Sequence, residues 1–173
     1  ILDNLYKPEI IIIDNNSVDQ TLDIVKHFIQ EPYLEKTVSK YTDIKIFSIN
    51  DYSPGKSLNF GIKKSSKKNI MIMSAHCILK KINYEKHIKD LKKYVGIFGK
   101  QNPIWNGKRI TKRYIWSHFV NKEEKNMYSK LENRYFFHNA ISIFQKKILI
   151  KYHFQEKLAG KEDRYWANRM IKK

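Results

Sequence analysis

Short apolar runs alternate with amphipathic segments over the first half of this chain, and this alternation is the feature that most restricts its fold. The apolar runs at 9–14, 44–49 and 69–74 have the length and composition of buried strands. The segments between them carry apolar residues at helical spacing, one ending near Gln30 and the next opening at Ser53. Strands that alternate with helices form α/β domains with parallel strands and right-handed crossovers. The sequence therefore predicts an α/β fold.

The second half of the chain continues with less regular elements. Helices are predicted at 82–94, 145–152 and 160–173, strands at 95–103 and 138–144, and a polar, aromatic segment of poor periodicity at 104–135. A length of 173 residues predicts one domain spanning the whole chain. Because Ile1 already lies in an apolar-periodic segment, we expect a further element upstream and a longer parent chain. The lone Cys77 excludes a disulfide within the chain and fits a reducing compartment.

The balance of charge is strongly positive and leaves three interpretations open. Lys and Arg number 34 against 17 Asp and Glu, which gives a net charge of +17, most of it from Lys. A nucleic-acid-binding module, a surface that docks on anionic lipid or an anionic substrate, and compositional drift toward Lys, Ile and Asn all fit this balance. The charge bears on solubility and on steering of partners, and it does not determine the fold.

Polar residues follow the first three predicted strands at the point where each strand ends. These are Asp14, Asn50 with Asp51, and the segment from Ser74 to His76. Ligands of open α/β sheets bind beyond the carboxyl ends of the strands, so these positions form the candidate functional edge. Two roles fit Asp14: it accepts hydrogen bonds from a nucleobase or ribose, or it caps the turn that follows.

Several motifs, taken in order, resemble one enzyme family. The quoted stretches are PEIIIIDNNSVDQT, SPGKSLNFGIKKS, IMIMSAHCI, FGKQNP, FFHNAISIFQKKIL and GKEDRYWANRM. They resemble the inverting family 2 glycosyltransferases, and most of all a rhamnosyltransferase-like bacterial subgroup in which Ser-Ala-His-Cys stands at the metal motif. The resemblance implies a GT-A-type, Rossmann-like, mostly parallel sheet flanked by helices, incomplete at its N-terminus.

The resemblance also implies a reaction and its partners. The expected activity moves a sugar from a nucleotide-diphosphate donor to a bacterial surface glycan or a lipid-linked acceptor, with inversion. The expected location is the cytoplasm, with peripheral contact on the inner face of the plasma membrane through the Lys-rich surface. Two alternatives stay open: a truncated, inactive glycosyltransferase fragment, and a basic nucleic-acid-binding module.

The position of the family's metal motif carries unusual residues in this chain. Ser74 and His76 stand where most members have two Asp residues that hold a divalent ion at the diphosphate. Three roles fit His76: a single ligand for Mn²⁺ rather than Mg²⁺, a direct hydrogen bond to the diphosphate, or a strand-end cap. A divalent cofactor is therefore an open expectation. Cys77 is expected to be a small core residue, since no activating partner is evident.

The last predicted helix carries the strongest candidate for catalysis. Asp163, Trp166, Ala167 and Met170 lie at i, i+3, i+4 and i+7, so they share one face, which must be the core-facing one. The resemblance makes Asp163 the base that removes a proton from the acceptor hydroxyl, with Glu162 orienting the acceptor or sugar. Alternatively, the two carboxylates only stabilise the helix N-terminus through its dipole.

The remaining candidates fall into two groups that the resemblance suggests. The nucleotide- or donor-binding group is Asp14, Asn15, Ser17, Asn59, Ser74 and His76; the acceptor- or sugar-contacting group is Lys100, Gln101, Asn102, His138, Asn139 and Trp166. Turn and strand-edge roles fit the members of the second group equally well, and core packing fits Trp166 as well as stacking on a sugar.

Overall fold

The structure is a computed structural model that describes residues 8–30, 43–109, 123–130 and 133–172. The predicted start of the chain and part of the segment 104–135 lie outside the described residues. The described strands are β1 Glu9–Asp14, β2 Asp43–Ser48, β3 Asn69–Met73, β4 Gly96–Phe98, β5 Ile104–Trp105, β6 Lys108–Arg109, β7 Tyr128–Ser129, β8 Arg134–Tyr135 and β9 Ile141–Gln145. The described helices are α1 Thr21–Gln30, α2 Pro54–Lys64, α3 Tyr84–Asp90, α4 Lys146–Lys151 and α5 Glu162–Ile171.

The first two strands form the predicted parallel pair. β1 and β2 pair in parallel, with Asp14 opposite Ser48 at their shared carboxyl end. α1 connects them, and its first turn is held by Asp19, whose side chain accepts a hydrogen bond of 3.0 Å from the Thr21 N–H. These elements confirm the predicted strand, cap and helix. They also confirm that polar residues from two strands meet at one edge.

The other main sheet is antiparallel, which differs from the expectation of a mostly parallel arrangement. β9 lies between β3 and β4 and pairs antiparallel with both. β3 and β4 therefore run in the same direction but do not hydrogen-bond to each other. Periodicity identifies a buried strand but not its partner, so the insertion of β9, which arrives late in the chain, was not predictable from the run at 69–74.

The core lies between this antiparallel sheet and three helices. Its buried members are Ile62, Ile72, Phe137, Phe144, Leu149, Phe154, Trp166 and Ala167. Phe144 on the central strand packs edge-on against Trp166 of α5, with ring centroids 5.2 Å apart. Ala167 is buried and Met170 packs against the same cluster, which confirms the predicted inner face of α5. This packing fixes the position of the first turn of α5 relative to β9.

The start of α2 is held tightly against the segment that precedes α5. Ser53 caps the helix by accepting a hydrogen bond of 3.1 Å from the Lys56 N–H, and its hydroxyl donates to the Glu156 carbonyl at 2.6 Å. Gly55 lies so close that an added Cβ would be 2.2 Å from the Gln155 carbonyl oxygen. Only glycine fits there without a backbone shift.

We expect Gly55→Ala to lower the free energy of unfolding by about 1–3 kcal/mol, since its methyl group must displace backbone rather than a flexible side chain. The measurement is urea denaturation followed by circular dichroism. Gly160→Ala is the matched control, because an added Cβ there meets no atom within 4 Å. Equal losses in the two variants would contradict the close approach.

Candidate functional site

Asn139, just before β9, is the residue around which the candidate site is organised. Its backbone N–H donates to Asp163 Oδ2 at 3.2 Å, and its side-chain amide donates to Glu162 Oε1 at 3.4 Å. Asn139 is 6% exposed and Glu162 is 9% exposed. The two carboxylates in the first turn of α5 are thus held against the start of β9, and Asp163 points inward as its helical position predicts.

The end of β3 joins the same group. The Ser74 hydroxyl donates to the Asn139 carbonyl at 3.2 Å, and the Ser74 N–H donates to the Ala140 carbonyl at 3.1 Å. On the inner side, the hydroxyl of the fully buried Ser142 donates to Asn139 Oδ1 at 3.0 Å. The strand end that carries the Ser-Ala-His segment therefore lies next to the carboxylate pair, although the two are far apart in sequence.

The electrostatics of the pair raise the pKa of Asp163 toward neutral pH. Burial, the largest cause, and the neighbouring charge of Glu162 together raise the pKa of Asp163 from 3.8 to about 6. Hydrogen bonds from the N–H groups of Arg164 and Asn139 act against this rise. A carboxylate with a pKa near 6 is ionised at pH 7 and is still basic enough to accept a proton from a hydroxyl group during attack.

The helix that carries these carboxylates begins from an unusual backbone conformation. Lys161, directly before α5, has φ 63°, in the left-handed region. The sequence predicts a helix over 160–173, whereas the helix begins at Glu162 and Lys161 before it is left-handed. A non-glycine residue in this region costs about 1–2 kcal/mol. The packing of Trp166 and the hydrogen bonds to Asn139 offset that cost.

His138 positions a neighbouring turn. Its Nε2 lies 2.9 Å from the Gly99 carbonyl oxygen, and since a carbonyl only accepts, Nε2 carries the hydrogen. Burial lowers the pKa of His138 to about 4, so the ring is neutral at physiological pH. The residues after Gly99 on this turn are Lys100 and Asn102, which are exposed, and Gln101, which is partly exposed. Their contact with an acceptor or sugar stays a prediction.

The carboxyl end of β1 forms a second polar group. Asp14 is buried, and its carboxylate accepts hydrogen bonds from the Ser17 N–H at 3.0 Å and the Ser17 hydroxyl at 2.5 Å. The Asn16 side chain donates to that of Asn50 at the end of β2. Asn15 is exposed. This geometry fulfils the turn-capping role considered for Asp14, and its contact with a nucleotide stays a prediction.

Two of the predicted contacts are occupied inside the fold. Asn59 exchanges two hydrogen bonds with the backbone of Phe154, of 2.9 and 3.0 Å, and also donates to Glu156. Trp166 is 2% exposed, and its indole N–H donates to the Tyr152 carbonyl. The stacking of Trp166 on a sugar is therefore corrected to core packing, because no face of the ring is accessible. Donor binding by Asn59 stays a prediction.

His76 lies in an exposed turn immediately after β3. The turn is closed by a hydrogen bond of 2.9 Å from the Cys77 N–H to the Ser74 carbonyl. Burial raises the pKa of the Cys77 thiol, which agrees with an unreactive thiol. Cys77 is only partly buried and lies outside the core cluster, so it is not the core residue that was expected. Within the described ranges, no three His, Cys, Asp or Glu side chains come together as a metal site would require. The residues present therefore do not fit a divalent ion held by the protein alone.

Ser142 is the site residue that sequence reasoning missed. A hydroxyl in the middle of the apolar stretch HNAISIF must be buried, and a buried hydroxyl needs a hydrogen-bond partner nearby. The need of the Ser142 hydroxyl for a partner points to the polar Asn139, which lies three residues before it. Asn139 was predicted as a substrate contact, whereas the structure places it as the residue that holds the two carboxylates.

Comparison with known proteins agrees with this geometry. The chain matches the family described as Glycosyl transferase family 2 over residues 1–153. The crystal structure of residues 1–349 of S. aureus TarS has a TM-score of 0.61 and 17% identity to this chain, and the match covers 92% of this chain and 44% of that chain. At this identity the similarity concerns the fold alone. The comparison with curated proteins gave no match.

The α/β architecture of the described residues is that of a GT-A fold. The chain belongs to glycosyl transferase family 2. It spans less than half of the TarS chain with which it shares its fold. The family match ends before α5, so the carboxylates of that helix are assigned from geometry. Among the helices that the structure describes, none has the length and apolar character needed to cross a bilayer.

We expect the unfolding free energy of Asp163→Asn, compared with that of the wild type, to be higher at neutral pH than at acidic pH. Because the folded pKa of Asp163 lies above its unfolded value of 3.8, the wild-type protein loses stability as pH rises through about 6. The variant lacks this loss. The difference in unfolding free energy between variant and wild type should therefore grow by roughly 1 kcal/mol between pH 5 and pH 7.5, measured by urea denaturation.

Asp51→Asn is the control for this pH comparison. Lys56 holds the pKa of the exposed Asp51 below its usual value, so the group is ionised at both pH values. Its effect on unfolding should be the same at pH 5 and pH 7.5. An Asp163→Asn effect that is equally independent of pH would contradict the raised pKa.

We expect Asn139→Ala to destabilise the fold by about 1–3 kcal/mol, because it leaves the buried Ser142 hydroxyl and Glu162 carboxylate without their side-chain partner. Thermal and urea unfolding measure the loss. Asn102→Ala, in the exposed turn after Gly99, should change the unfolding free energy by less than about 0.5 kcal/mol. Similar values for both variants would show that Asn139 does not organise the site.

Proposed function

We propose that this chain transfers a sugar from a nucleoside-diphosphate donor to an acceptor hydroxyl group, with inversion at the anomeric carbon. The observation that carries the proposal is the largely buried Asp163, whose pKa is raised to about 6. It accepts a hydrogen bond of 3.2 Å from Asn139, which is itself hydrogen-bonded to Ser74 at the end of β3. A buried carboxylate with a raised pKa at a strand-end site is the expected form of a catalytic base.

The proposed reaction is a single displacement. Ionised Asp163 accepts the proton of the acceptor hydroxyl while that oxygen forms a bond to the anomeric carbon. The bond from this carbon to the donor phosphate oxygen breaks, and its electron pair leaves with the nucleoside diphosphate. Attack from the face opposite the leaving group inverts the configuration. The charge of Glu162 adds to burial in raising the pKa of Asp163. A hydrogen bond from the Asn139 side chain holds Glu162 beside Asp163.

The donor is proposed to lie along the carboxyl ends of the strands. Ser74 and His76 at the end of β3 would face the diphosphate, and Asp14, Asn15 and Ser17 at the end of β1 would face the nucleotide. The general tendency of open α/β sheets to bind ligands at this edge supports the assignment. The exposed turn at 100–102 is the proposed place of the acceptor or the donor sugar.

The acceptor is proposed to be a bacterial surface glycan or a lipid-linked sugar. The net charge of +17 supports contact with an anionic membrane, in which each Lys or Arg near the surface contributes about 1 kcal/mol. This would place the protein in the cytoplasm, at the inner face of the plasma membrane. An inactive part of a longer enzyme is the second candidate, since the chain spans only part of the similar TarS structure.

We expect Asp163→Asn to lower the rate of transfer by at least about 100-fold, since general-base catalysis contributes that much, while donor affinity changes little. The assay measures nucleoside diphosphate released from UDP-, dTDP- and GDP-sugars in the presence of bacterial membranes. Donor affinity is measured separately by calorimetry. If Asp163→Asn loses donor binding instead of rate, the residue is not the base.

Glu162→Gln gives a second test through the pH profile. Removing its charge lowers the pKa of Asp163, so the rise of kcat/KM with pH should move from about 6 to lower pH. A profile that stays at the same pH in this variant would contradict the proposed coupling. If no nucleotide binds to the wild-type chain, the inactive candidate is favoured.

A further inference from the structure

The segment around His76 differs from a divalent-metal site in its charge. Residues 52–84 contain no Asp or Glu, and all of their charged side chains are Lys. Mg²⁺ and Mn²⁺ prefer carboxylate oxygens, and a site without any carboxylate binds them weakly. The turn that ends β3 therefore offers one imidazole and one hydroxyl, and the chain segment that contains it carries no carboxylate.

The two nearby carboxylates are already engaged. Both oxygens of Asp163 accept backbone N–H hydrogen bonds, from Asn139 and Arg164, and Glu162 accepts one from the Asn139 side chain. The Ser74 hydroxyl donates to the Asn139 carbonyl. Glu162 and Asp163 thus hold β9 against α5, and the described residues bring no third His, Cys, Asp or Glu ligand beside them. His76 is the one side chain of this group that is exposed and able to turn toward a ligand.

We propose that the site binds the diphosphate of its donor without a divalent ion held by the protein, and that His76 donates a hydrogen bond to a phosphate oxygen in place of that ion. This inference rests on the proposed function. The positive charge that the departing diphosphate requires comes from the lysines that follow His76, of which Lys80 and Lys81 are exposed.

Calorimetric titration of the chain with UDP, dTDP and GDP tests this inference, once in EDTA and once with Mn²⁺. The wild-type affinity for the nucleotide that binds should be the same within about twofold in both buffers. His76→Ala should weaken that affinity about tenfold or more in both, the usual effect of losing a hydrogen bond to a charged group. Affinity for the matching nucleoside monophosphate should change less, because the lost partner is the second phosphate.

A variant with Asp at both positions of the metal motif should show the opposite dependence of diphosphate affinity on Mn²⁺. Ser74→Asp with His76→Asp should bind the diphosphate poorly in EDTA and regain affinity with Mn²⁺, because two carboxylates repel phosphate until an ion joins them. If Ser74→Asp disturbs the fold, as circular dichroism would reveal, His76→Asp alone should show the same dependence on Mn²⁺ to a smaller extent.

Three results would overturn the inference, and one of them would also overturn the proposed function. Wild-type binding that requires Mn²⁺ shows that the chain does use an ion, and unchanged affinity in His76→Ala shows that the imidazole does not contact the diphosphate. Either result leaves the proposed sugar transfer standing. A wild-type chain that binds none of the nucleotides in either buffer overturns both this inference and the proposed function.

Discussion

The hydrogen bonds of Asn139 join three elements that are far apart in the chain, and the candidate site depends on them. Its carbonyl accepts from Ser74 at the end of β3, its N–H donates to Asp163, and its side chain lies between Glu162 and Ser142. Each of these partners is wholly or partly buried, so each would be costly to leave unpaired. The arrangement therefore has few alternatives, and it keeps a carboxylate pair beside the strand end.

This arrangement has an energetic cost that the rest of the fold must offset. Burial and the neighbouring charge of Glu162 oppose the ionisation of Asp163, so the pKa of Asp163 rises. The left-handed backbone at Lys161 adds to the cost. The aromatic packing of Trp166 against Phe144 and Phe154 holds α5 in place despite both effects. Local backbone strain and a shifted pKa of this kind are typical of active sites.

Much of this fold could be predicted from the sequence, because strands, helix caps and helix faces depend on local patterns. The Ser53 cap, the parallel pair of β1 and β2 and the inward position of Asp163 all follow from such patterns and are confirmed. The pairing of β3 with β9 could not be predicted, because a strand does not encode its partner. The role of Asn139 depends on that pairing, so it became visible only in three dimensions.

The residue types at the site also show where the family resemblance reaches its limit. The resemblance places a metal motif at Ser74 and His76, but neither side chain is a carboxylate, and residues 52–84 contain no Asp or Glu. The most direct test of the account is the pKa of Asp163, measured by carboxyl ¹³C NMR over pH 4–8 and assigned by the signal missing in Asp163→Asn. The account predicts a midpoint of about 6. A midpoint near 3.8, the ordinary value, would contradict a buried base at this site.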